Sequence, residues 1–205
     1  MFDREQKSYI IKTVKKDFKW DDIEKINIDR FCWRYDYKPT TYGQIVLVEN
    51  EGFVVKMTCF EKNPKAVYKN FFEDVYKDSC MEFFACFDNK STAYVNCEMN
   101  SLGASIMSIG KPDCERVPFD EILGHVPSVE PEINEDSWSV TLKLPLEDIY
   151  KLYGKINFEK GYKFTGNMFK CGDETEYEHY GMWCRSIAVI PQFHRVEYFG
   201  DLIIG

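Results

Sequence analysis

Hydrophobic and polar positions along this chain alternate with period two far more often than they recur with the spacing of a helix, and the alternation is cut at regular intervals by turn residues. Residues 42–48 and 53–60 are rich in β-branched and aromatic side chains and flank Asn50-Glu51-Gly52, which is hairpin spacing. Residues 80–87 and 93–99 flank Asp88-Asn-Lys-Ser-Thr92 and predict a second hairpin. Trp138, Val140, Leu142 and Leu144 alternate with polar residues up to Pro145, and residues 162–169, 182–190 and 198–204 read as further strands. One short helix is expected over 146–153, closed by Gly154. The sum is an all-β chain: an antiparallel, jelly-roll-like β-sandwich with one short helix and long surface loops, the longest being the proline-containing acidic stretch 111–136.

Length and composition narrow this picture. A chain of 205 residues without a linker, repeat or low-complexity tract reads as a single domain over 1–205. Its aromatic content of 16% supplies a core and leaves rings for a binding surface. With 26 Lys plus Arg against 34 Asp plus Glu, the formal charge of -8 repels polyanions, so nucleic acid is not an expected partner. No window is apolar and long enough to span a bilayer, which argues against a membrane partner, and residues 1–7 carry no apolar leader. A cytoplasmic location is expected if the chain is complete and an extracellular one if a signal was trimmed. The eight cysteines are scattered singly with no Cys-x-x-Cys, as expected of reduced, buried thiols.

Strand alternation locates candidate chemistry. If Met81, Phe83, Ala85 and Phe87 face the core, with Val95, Cys97 and Met99 opposite, then Glu82 shares the other face with Tyr94, Asn96, Glu98 and Asn100. A second apolar layer over two carboxylates and two carboxamides would be unfavourable, so this face is expected to be a wet, concave platform. Such a platform suits sugar hydroxyls, Ca²⁺ or a glycosidase carboxylate pair, and its structural alternative is a solvated outer sheet face. Cys171, His179, Cys184 and His194 crowd one C-terminal segment, but their spacing matches no closed zinc motif. Trp20, Trp33 and Trp138 are expected in the core. Asn167 and Asp173 read as backbone-capping and turn residues, and His194 as a packing or hydrogen-bonding one.

Four segments, taken in order, resemble a known family. They are Tyr76-Lys-Asp-Ser-Cys-Met-Glu-Phe-Phe84, Tyr94-Val-Asn-Cys-Glu-Met-Asn-Ser-Leu-Gly103, Asn167-Met-Phe-Lys-Cys-Gly-Asp173, and Trp183 with Pro191-Gln-Phe-His194 and Phe199-Gly200. Together they are similar to carbohydrate-binding module family 9 and its DOMON-like β-sandwich relatives, from about Phe53 onward. The resemblance implies non-catalytic binding of a mono- or oligosaccharide end between two aromatic rings, with polar groups reading its hydroxyls. It assigns Trp183 to one wall and Tyr76 to the other, at a position where characterised members carry tryptophan. It assigns Glu82 and Arg116 to hydroxyl contacts, beside Asn96 and Glu98 on the same expected platform. No cofactor is required, and the resemblance allows a structural Ca²⁺ without naming its ligands. Two other readings stand beside it: a glycoside hydrolase using Glu82 and Glu98, or Asp173 with one of them, and a protein-interaction sandwich.

Overall fold

The computed structural model describes residues 7–34 and 36–205; the leader-free reading of the N-terminus falls mainly on residues 1–6, outside the described residues. Among the described residues, fourteen strands form one curled sheet whose two halves pack face to face. One half holds β6 (Cys80–Cys86), β7 (Tyr94–Asn100), β8 (Ser105–Gly110), β9 (Val117–Pro118), β12 (Lys163–Gly172) and β14 (Gly200–Ile204), and β13 (His179–Met182) joins β12 to the two-residue β3 (Arg30–Phe31). The other half holds β4 (Thr41–Val48), β5 (Gly52–Cys59), β10 (Val129–Ile133) and β11 (Trp138–Pro145), with β2 (Ile26–Asn27) against β4. β1 (Ser8–Val14) stitches the halves together, pairing with β14 through Ser8 to Ile11 and with β4 through Lys12 to Val14. Both β1 pairings are parallel, so the expectation of an antiparallel sandwich is corrected to a mixed sheet.

The hairpin predicted around Asn50 is β4 with β5, and its turn needs the left-handed backbone found at Asn50 (φ 61°) and the φ of 153° at Gly52. A Cβ on Gly52 would lie 2.2 Å from the Leu144 carbonyl oxygen, so close passage of β11 also demands glycine there. The alternation expected for the second hairpin holds: Met81, Phe83, Ala85 and Phe87 join Val95, Cys97 and Met99 in the main core, against Ile45, Val55 and Met57 from the opposite half. Burying this apolar surface at roughly 25 cal/mol per Å² is the main force holding the halves together. Trp138 is fully buried there, as expected, whereas Trp20 and Trp33 are only half-buried.

The helix predicted over 146–153 is α2 (Leu146–Tyr153), ending at Gly154 with φ 83°. A second helix, α1 (Phe119–Leu123), lies inside the stretch read from sequence as an irregular surface excursion. That stretch also contributes β9 and β10, and Phe119 and Leu123 reach the core, so it is partly structural. The eight cysteines form no disulfide; six are buried, while Cys114 is exposed and Cys32 half-buried. No helix among the described residues is long and apolar enough to cross a membrane.

Candidate functional site

Glu82 and Glu98 are direct register partners on β6 and β7, and Asn96 lies opposite Phe84 one step along the same face. Pairing β8 to β7 sets Ser108 across from Asn96, and Cys171 of β12 enters from the other side of β6. These side chains floor a cleft of about 590 Å³. The face is not the open wet platform expected from the sequence, because Glu82, Asn96 and Glu98 are buried. They are covered by the 3-10 turn Val75–Lys77 and by residues 190–194, which close over both sides of the face. The solvated-face alternative is excluded by the same burial.

The floor is a connected polar network. Asn96 Nδ2 donates to Glu98 Oε1 at 2.8 Å, and its Oδ1 accepts from Ser108 Oγ at 2.5 Å and from Arg116 Nε at 2.7 Å. Arg116 also donates through Nη2 to the Tyr94 carbonyl at 2.8 Å, with its guanidinium 4.1 Å from the Tyr94 ring centre. Its remaining terminal nitrogen, Nη1, is buried with no hydrogen-bond partner. An unpaired buried donor on a guanidinium is costly, and it lies on a residue that lines the cleft. On the other side the Cys171 thiol donates to Glu82 Oε1 at 3.0 Å.

Burial sets the charges. It pushes the Glu98 carboxyl up to about 7, against the opposing pull of the Asn96 amide and Arg116. Glu82 is raised well above the usual carboxylate range by burial first, then by Cys171 and Glu98. Asp173, at the edge of the cleft, is pushed up to about 6 by burial and by neighbouring Glu178. The floor therefore offers hydroxyl-type donors and acceptors as well as carboxylates.

The sides are aromatic. Tyr76 comes from the 3-10 turn, Tyr180 from β13, and Phe193 from residues 190–194. Phe193 is held by a stack on Phe169 at 4.2 Å and 17°, with Trp33 6.0 Å away, and Phe72 stands half-exposed at the mouth. Of the residues expected from sequence, Tyr76, Glu82, Asn96, Glu98 and Arg116 line this one cleft.

Trp183 does not line it, and its assignment as a wall is corrected. Trp183 is 6% exposed and belongs to the main core. Residues 182–190 are not a strand: β13 ends at Met182, and Trp183 and Cys184 then both turn inward. Asn167 pins this segment, accepting from Cys184 N–H at 2.9 Å and donating to the Cys184 carbonyl at 3.0 Å, which bears out its backbone-capping role. The Trp183 ring lies over Gly200, where a Cβ would come within 2.7 Å of it. His194 bonds Tyr94 and also lines the cleft, while His179 binds Lys170 on the other side of β12 and Cys184 sits in the core, so the four residues whose spacing argued against a zinc site are dispersed. Phe193, Tyr180 and Ser108 were missed by sequence reasoning. Of the three, only Phe193 falls in one of the four segments that carry the family resemblance.

Comparison with known proteins gives this cleft a setting. No curated protein matches the chain in sequence. Among solved structures, a Bacteroides uniformis protein with a provisional carbohydrate-binding assignment superposes with a TM-score of 0.84 at 24% identity, over 97% of this chain and 99% of that one. A carbohydrate-binding module of family 9 from Caldicellulosiruptor kristjanssonii, solved with glucose, superposes with a TM-score of 0.70 at 9% identity, covering 97% and 96% of the two chains. The same organism's module solved with cellotriose gives 0.68 at 8% identity, over 97% and 93%. The profile of carbohydrate-binding family 9 matches residues 12–204, and the chain belongs to that family.

Proposed function

We propose that the cleft floored by Glu82, Asn96, Glu98 and Arg116 holds the end of a carbohydrate chain without turning it over. Membership of carbohydrate-binding family 9 makes non-catalytic sugar binding the activity of the chain. The observation that carries this particular site is the Arg116 guanidinium: it is anchored on Asn96 and Tyr94, yet keeps a buried, unpartnered Nη1 in a residue lining the cleft. A ligand hydroxyl would satisfy that donor. Aromatic sides at Tyr76, Tyr180 and Phe193 suit the apolar C–H faces of a pyranose, and the amide and carboxyl groups of the floor suit its hydroxyls. The glucose and cellotriose bound by the Caldicellulosiruptor modules make gluco-configured sugars the first to test.

The hydrolase reading is not favoured. Glu82 and Glu98 are neighbours on paired strands of one sheet face, so both carboxyls meet a ligand from the same side. Hydrolysis needs two carboxyl groups flanking the scissile bond, about 5–9 Å apart. Titration calorimetry against glucose, cellotriose, xylose and galactose tests the proposal. Saturable heat with one or more of these sugars, and no product on prolonged incubation with cellotriose, is the expected result. A folded protein giving no heat at millimolar sugar overturns it.

A further inference from the structure

Three metal-ligand side chains converge at the inner edge of the cleft: Cys80, Glu82 and Cys171. Cys80 and Glu82 are two residues apart on β6 and share a face, and Cys171 of β12 is the register partner of Cys80. Their candidate ligand atoms all lie within 4.8 Å of one another, and all three residues are buried. Zn–S bonds of about 2.3 Å and a Zn–O bond of about 2.0–2.2 Å fit donors at that mutual spacing. Glu82 forms no ion pair among the described residues, and its one hydrogen bond there is the Cys171 thiol. Two thiols and a carboxyl are thus enclosed together with no basic side chain paired to Glu82, and Glu82 and Cys171 line the cleft.

We propose that Cys80, Glu82 and Cys171 form a binding site for a thiophilic divalent cation of the zinc class. Two sulfur donors select against Ca²⁺ and Mg²⁺, which require oxygen ligands. Binding releases both thiol protons, and the carboxyl proton where one is carried, to solvent; no oxidant is involved. Three protein ligands leave one position of a tetrahedral ion for water or another small oxygen donor from the cleft. The site is a property of this chain's two cysteines and goes beyond the sugar-binding reading, on which it does not rest.

The test uses the whole chain, reduced and freed of metal, titrated with Cd²⁺ and Co²⁺ in a non-chelating buffer without sugar. One equivalent of Cd²⁺ is expected to bring up thiolate-to-metal charge-transfer absorption, and Co²⁺ the intense visible bands of a tetrahedral thiolate site. Cys80→Ala and Cys171→Ala should abolish both signals, while Cys114→Ala, which removes the exposed thiol, should leave them intact. Should either core variant fail to fold, X-ray absorption at the cadmium edge of the wild-type chain answers the same question: two sulfur neighbours and at least one oxygen neighbour should surround the ion. Absence of a charge-transfer band at saturating Cd²⁺, a band lost only in Cys114→Ala, or a bound ion surrounded by oxygen and nitrogen alone overturns the proposal.

Discussion

Tyr94 Oη lies 2.7 Å from Nδ1 of His194, joining the middle of the binding sheet to residues 190–194 that wall the cleft. His194 is held to about 4, first by burial and then by the Arg116 charge nearby. It is therefore neutral in the folded protein at pH 7, while an unfolded histidine titrates near 6.5. A depressed histidine contributes stability that is complete above the unfolded value and is lost as pH falls from about 6.5 to about 4, at up to about 1.4 kcal/mol per pH unit. His179, also held to about 4, adds a loss of the same sign. Urea denaturation from pH 7 to pH 4 should show wild type losing stability relative to His194→Gln, which keeps a hydrogen-bonding group for Tyr94; the raised Glu82, Glu98 and Asp173 carboxyls act with the opposite sign on both proteins and cancel in the comparison. Parallel pH profiles for the two proteins would contradict this account.

Trp183 and Tyr76 should separate cleanly when truncated. Trp183→Ala empties a core position and is expected to cost about 3–5 kcal/mol in urea denaturation, the range for large aromatic truncations. Tyr76→Ala removes a half-buried side of the cleft, so it should weaken sugar binding tenfold or more by calorimetry with stability reduced by less than about 1.5 kcal/mol. The reverse pattern would return Trp183 to the ligand.

The contrast between these two residues shows what the sequence could reveal. The β6–β7 hairpin has strict alternation and fixed register, so the cleft floor was legible from period two alone: Glu82, Asn96 and Glu98 fall where the pattern puts them. Trp183 was misplaced because 182–190 imitates a strand by composition, while the direction of its side chains is decided by Asn167, distant in sequence. The burial of the floor was illegible for a similar reason. It depends on residues 190–194 folding back over β12 and β7 through contacts such as Phe193 on Phe169 and His194 on Tyr94, which leave no period in the sequence. The parallel β1 was missed because a single strand pairing with both halves carries no hairpin signal.

Arg116 tests the site from another direction. Its Nε and Nη2 hold Asn96 and Tyr94, and only a planar fork can do this while leaving a further terminal nitrogen, Nη1, without a partner on a residue that lines the cleft. Arg116→Lys should therefore behave much like Arg116→Ala, each losing tenfold or more in sugar affinity by calorimetry. Wild-type affinity in Arg116→Lys would mean that a positive charge alone suffices there.

On the far side of β12 from Cys171, Lys170 is completely buried and joins the two halves of the sandwich. Its Nζ donates to Ser79 Oγ and the Cys171 carbonyl at 2.9 Å each and to His179 Nε2 at 2.6 Å, and pairs with Glu61 at 3.6 Å. Glu61 also accepts from Ser79 Oγ and from the Trp138 indole, the latter at 3.1 Å. Removing one partner of such a pair leaves an uncompensated buried charge, whereas removing both leaves only apolar packing and neutral hydrogen bonds. Lys170→Met is accordingly expected to lose about 3–5 kcal/mol in urea denaturation at pH 7. Glu61→Gln combined with Lys170→Met should recover more than half of that loss, because the amide still accepts from Ser79 and Trp138 but carries no charge. Additive losses in the double mutant would mean that Lys170 acts through its bonds to Ser79 and His179 rather than through its pairing with Glu61.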